Sequence, residues 1–191
     1  MNVIAYVREN LAGAWEVMLG RPQGLARLDT SIEGFWRSFG VIVLVAPFAL
    51  LSFLSEEPPA VEGAQVTAPT GSLPLFAVAV MFDWVSFPLI FTFVARAFNL
   101  GSRYVPFIVA RNWSSVIVGA MVAVLDVLYL FGIVPSAVMP FAVLGALAVA
   151  LRFSYVIART VLGVSMAVAL PIVVLDYLVS LTIWSLFRPF A

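Results

Sequence analysis

The chain has 191 residues, of which 63% are hydrophobic and 10% charged, with ten basic residues balanced by ten acids and a mean hydropathy of +1.11. A soluble domain of that composition would expose a large apolar surface, and zero formal net charge offers a nucleic acid no electrostatic footprint. Histidine and cysteine are both absent, which excludes disulfides, the usual zinc and haem ligands, iron–sulfur clusters and histidine-assisted nucleophiles.

Chain order begins with an amphipathic stretch. Ile4, Val7, Leu11, Trp15 and Met18 recur at three- and four-residue spacing, with Asn2, Arg8, Glu9 and Glu16 off that stripe. Two placements are open for this helix: in the headgroup plane of a membrane, or packed on the ends of other helices. Gly20, Pro22 and Gly24 then break it, so residues 1–29 read as an interfacial amphipathic helix and a link. Thr30 followed by Glu33 fits a capping box and predicts a helix start there.

Five apolar runs follow, at about 38–54, 73–94, 105–131, 137–157 and 161–187. The strongest apolar part of the fourth ends at Leu151, and its boundary with the fifth is open. A membrane-spanning helix needs about 20 mostly apolar residues, and continuous runs of this length do not fit the alternating ten-residue strands of a β-barrel. The predicted fold is an all-α, polytopic transmembrane bundle of five spanning helices over residues 30–191, preceded by the amphipathic helix. Residues 55–72 carry Glu56, Glu57, Glu62, three prolines and two glycines, and read as a loop. No repeat at a fixed period is present, and five spans do not divide into inverted halves.

All ten basic residues are arginine. With the abundance of Ala, Val and Leu, this points to a GC-rich bacterial genome. Arg8, Arg21, Arg27 and Arg37 precede the first run, Arg96 and Arg103 follow the second, and Arg152 and Arg159 follow the fourth. Arginine favours the cytoplasmic side, so the expected placement is a bacterial inner membrane with the N-terminus cytoplasmic and the C-terminus periplasmic. Arg188 alone runs against that pattern. The first run begins too far into the chain for a cleaved signal peptide and is expected to remain as an anchor.

Ionisable residues at membrane depth are costly and so are functional candidates. Asp83 lies midway along the second run, Asp126 in the far third of the third, and Asp176 midway along the fifth. Arg111 and Asn112 lie near the start of the third. Arg111, Ser115, Gly119, Val122 and Asp126 share one helical face, as do Ser165, Ala169, Ile172, Asp176 and Ser180. One reading makes the acids a proton or cation path. The other makes them interhelical hydrogen-bond partners of serines, of tryptophan N–H, or of backbone near Pro88 and Pro171. Arg111, Arg152 and Arg159 are expected to extend to headgroups. Trp36, Trp84, Trp113 and Trp184 include candidate interface anchors, with Trp84 deep enough to pack in the bundle. Gly145, Ala146, Ala148 and Ala150 predict close approach of the fourth helix to a neighbour. No Walker loop, dinucleotide fingerprint, HExxH or GxSxG occurs, so no enzyme activity, cofactor or metal is expected.

Five closely spaced spans, the stretch Trp84–Pro88, the segment Tyr104-Val-Pro-Phe-Ile and the Arg111-Asn112-Trp113 opening of the third span together resemble the Yip (Ypt-interacting protein) family, which has bacterial members. The resemblance covers residues 35–187 in layout and about thirty residues in detail, and the long hydrophilic N-terminal region of the eukaryotic members is missing. It implies a non-enzymatic membrane protein acting through helix packing, as a membrane-organising or accessory subunit with a membrane-protein partner or further copies of itself. The alternative expectation is a small transporter or channel-like permease using Asp83, Asp126 and Asp176.

Overall fold

The computed structural model describes residues 2–55 and 72–187. Glu56–Gly71, read above as a loop, and Arg188 lie outside the described residues. The architecture is all-helical, with no strands among the described residues. Its elements are α1 (Val3–Met18), a 3-10 turn at Pro22–Ala26, α2 (Ile32–Phe39), α3 (Ile42–Ser55), α4 (Leu73–Ala97), α5 (Gly101–Leu130), α6 (Met139–Leu162) and α7 (Met166–Phe187). Five stretches are long and apolar enough to cross a membrane: Ile32–Ser55, which joins α2 and α3, and the whole of α4, α5, α6 and α7.

Local chemistry sets the ends. Ser31, rather than Thr30, caps α2: its hydroxyl accepts from the Gly34 N–H at 2.9 Å. Glu33 pairs with Arg37 one turn on instead of reaching back to the cap. The cap therefore lies one residue later than the sequence reading and the expected capping box does not form, since Gly34 stands three residues on; Asp29 takes the Ser31 hydroxyl and N–H and fixes that turn. Asn99, at φ 56°, closes α4 in the left-handed region, which asparagine tolerates better than most residues. Gly163, at φ 66°, closes α6. Val161 and Leu162, assigned above to the fifth run, therefore finish the fourth helix, and α7 starts only at Met166.

Helix α5 is the axis of the molecule. It packs against α1, α2, α3, α4 and α6, while α4 and α7 pair with each other and α6 lies against both α5 and α7. From Phe107 to Ser114 every residue except Arg111 is buried. A helix buried on all its faces must be enclosed on all sides, and here α1, α2, α4 and α6 supply the wall. At thirty residues α5 is about 45 Å long, longer than the ~30 Å hydrocarbon layer. Its first turns therefore reach beyond that layer or the helix tilts within it.

Of the two placements open for α1, its buried face lies on protein. Asn10, Gly13, Ala14, Val17 and Met18 are buried, a face rotated from the stripe read in the sequence. Of that stripe, Ile4 and Trp15 are exposed, along with Val3 and Leu19. Ala14, Val17 and Met18 of this face enter the core, while the link folds back on its Asn10 and Gly13 side. A Cβ on Gly24 would meet the Gly13 carbonyl oxygen and lie 2.7 Å from Glu16 Cβ. Asn10 Oδ1 then accepts the Asp29 N–H at 2.9 Å.

The expected close approach of α6 through Gly145, Ala146, Ala148 and Ala150 is only partial, with Ala146 and Ala150 half-buried. Gly145 and Ala148 are exposed, and a Cβ on Gly145 would have nothing within 4 Å. The fully buried residues of α6 all lie in its C-terminal half: Ile157, Ala158, Val161 and Leu162. Small residues permit contact but do not supply a neighbour.

Candidate functional site

The polar residues read from the sequence divide into four interhelical contacts. Arg111 on α5 and Asp176 on α7 form a two-pronged ion pair, with Nε donating to Oδ2 at 3.0 Å and the second guanidinium nitrogen to Oδ1 at 2.7 Å. Their side chains are 19% and 22% exposed. The planar guanidinium suits this fork, and its carbon lies 4.8 Å from the Phe87 ring centroid on α4. The expectation that Arg111 extends to the headgroups is thus overturned. A carboxylate on the facing helix offers a closer partner than the helix end, and snorkelling serves a charge that lacks one.

Asp83 on α4 accepts from the Ser180 hydroxyl on α7. Asp126 on α5 accepts from Ser52 at 2.5 Å and Ser55 at 3.1 Å, both on α3. The shared face on α7 thus aims Asp176 at α5 and Ser180 at α4. On α5 the same kind of face carries Arg111 and Asp126 to different helices, and at Gly119 a Cβ would lie 3.2 Å from the Phe48 ring of α3.

Asn112, the remaining sequence candidate, donates to Ser38 Oγ at 3.0 Å, and Ser38 in turn donates to the Phe35 carbonyl. Both residues are fully buried, so this bond ties α2 to the enclosed part of α5. Trp113 beside it is buried against Tyr6 of α1, with ring centroids 5.9 Å apart. Trp113 is therefore a core residue and not an interface anchor, whereas Trp36 is exposed. Trp84 packs inside the bundle.

A cavity of about 20 Å³ lies beside the ion pair, lined by Phe87, Phe107, Ser114, Ser154, Ile172 and Val173 along with Arg111 and Asp176. That space admits about one water. Four helices meet there, so the pair joins the α4–α7 and α5–α6 halves of the bundle. Sequence reading missed Ser154, Ser114, Ser38, Ser52 and Ser55. The only available signal was their helical spacing to other polar residues, which is common in apolar helices. Among the described residues no group of three or more acids could hold a metal ion.

Outside the spans, the collar of α1 and its link has its own titrating groups. The Ser31 hydroxyl holds the Asp29 carboxyl below its ordinary value. Burial, followed by the nearby Asp29 charge, pushes the Tyr6 phenol up.

No family model matches this chain, and searches of curated proteins and of solved structures return no match.

Proposed function

We propose that this chain is a non-catalytic accessory or membrane-organising protein that works by helix packing with other membrane proteins, in the layout of the Yip family. The observation that carries this reading is that the three intramembrane aspartates are each engaged across a helix interface: Asp83 with Ser180, Asp126 with Ser52 and Ser55, and Asp176 with Arg111. Groups committed to one another hold helices in register and offer little to a passing solute. The adjoining cavity takes about one water, which is small for a transported molecule. Exposed apolar side chains on every spanning helix, among them Val43, Phe93, Val124, Leu144 and Leu178, leave surface for lipid or partner helices. The same reading places the arginine-rich end in the bacterial cytoplasm, by the bias of arginine towards that side.

Cross-linking in native membranes followed by purification tests the proposal: a reproducible membrane-protein partner is expected. A strictly monomeric, partner-free protein would sink it. The second reading, transport, draws on the meeting of Arg111, Asp176, Ser114 and Ser154 around one cavity. Flux into proteoliposomes that falls in both the Asp83→Asn and Asp176→Asn variants would favour it over the accessory reading.

A further inference from the structure

The arginines at the N-terminal end of the bundle are not equivalent. Arg8 pairs with Glu9, Arg27 with Glu9 and Glu16, and Arg37 with Glu33. Like Arg96 and Arg103 at the α4–α5 turn, Arg21, Arg152 and Arg159 are exposed and have no acidic partner among the described residues. These three gather at one place. Arg152 and Arg159 are seven residues apart on α6, hence on one face and about 10 Å apart along the axis. Val156 lies between them, and a Cβ on Gly20 would sit 3.5 Å from its Cγ1. That contact brings the end of α1, and Arg21 after it, to the same stretch of α6. Trp15 completes the patch: its ring is 6.2 Å from that of Phe153, over which the Arg152 guanidinium lies at 5.7 Å.

The same face of α6 continues away from Arg152 through Ala148, Gly145 and Phe141, all exposed and spaced by three or four residues. It is an open apolar track that ends in unneutralised positive charge, with a tryptophan at the join. An acyl chain fits the track, a phosphate fits the guanidinium groups, and the indole belongs at the boundary between them. We infer that this face of α6, with Arg21 and Trp15 of the collar, is a docking site for an anionic phospholipid.

The test uses the full chain in phosphatidylcholine bilayers titrated with brominated phosphatidylglycerol, reading tryptophan quenching against brominated phosphatidylcholine. The parent should prefer phosphatidylglycerol, and Trp15→Phe should remove most of the lipid-specific quenching. A surface arginine contributes about fivefold to binding of an anionic lipid, so Arg21→Gln, Arg152→Gln and Arg159→Gln together should lower the preference on the order of a hundredfold. Arg152→Lys with Arg159→Lys should keep most of it, which separates lost charge from lost fold. The control Arg8→Gln with Arg37→Gln should leave it unchanged. Equal quenching by the two lipids in the parent, or an equal loss in the control, overturns the inference. So does displacement of the lipid by inorganic phosphate, which would mean a free-anion site. Disulfide cross-linking of Ala148→Cys between copies, unaffected by phosphatidylglycerol, would assign the track to a second copy and overturn it as well.

Discussion

Asp176 shows how a single partner changes the energetics of a residue. As an isolated intramembrane acid it would tolerate an amide in its place. Paired through two hydrogen bonds with Arg111, it neutralises a guanidinium that has little other company. Removing one member of a buried pair is strongly destabilising, about 3–5 kcal/mol, whereas replacing both by apolar groups of similar volume is often neutral. Asp176→Leu should therefore cost on that order in detergent unfolding measurements, with Asp176→Asn intermediate. Arg111→Met combined with Asp176→Leu should recover most of the loss. Simple addition of the two single losses in the double variant would show that the pair is not coupled in the folded protein.

Among the elements, α1 is held by an apolar face, with Ala14, Val17 and Met18 in the core, and also by close backbone contact and two titrating groups on its link side. Gly24→Ala pushes a methyl against the Gly13 carbonyl and Glu16, and overpacking of this kind costs about 1–3 kcal/mol. The expected result is faster hydrogen exchange in α1 with the spanning helices unchanged. Asp29 adds a pH dependence. Its carboxyl is lower in the folded state, so its contribution is full above the ordinary carboxylate value of about 4 and is lost as pH falls through the depressed value. Tyr6 acts oppositely. Its phenol is raised, so its contribution is full below about pH 10 and is lost as pH rises through the raised value. Exchange in α1 measured across pH should be protected between these limits, and Asp29→Asn should remove the acid limb. An acid limb that survives in that variant would assign the dependence to another group.

For the whole molecule, the arrangement of ends is the property most open to direct measurement. The turns at Gln23 and Ser102, together with Arg159, belong to the arginine-rich end, whereas Ser136 belongs to the opposite end, and all four are exposed. Because the chain has no cysteine, single cysteines report without background. Gln23→Cys, Ser102→Cys and Arg159→Cys should resist an impermeant thiol reagent in intact cells, while Gln65→Cys and Ser136→Cys should react. Reaction at Ser102 with protection at Ser136 would invert the assigned orientation.

Length and hydropathy were enough to determine five apolar helices and an amphipathic leader, because each is a local property: about 20 residues cross the hydrocarbon layer whatever their neighbours, and a 3.6-residue period defines a face. The position of Asp83, Arg111, Asp126 and Asp176 along their helices was legible for the same reason, since it follows from rise per residue. Which helix each one meets was not. Pairing Arg111 with Asp176 across 65 positions of sequence depends on how α5 and α7 are rotated against each other, and that rotation is set by the sum of all contacts around α5. The small residues of α6 illustrate the limit from the other side. Gly145 and Ala148 were read as a packing seam, but the nearest helix does not reach them, because α6 is drawn onto α1 and α5 by Ile157, Ala158 and Val161 at its other end. Composition determines what a face can accept, and only the tertiary arrangement decides what is placed against it.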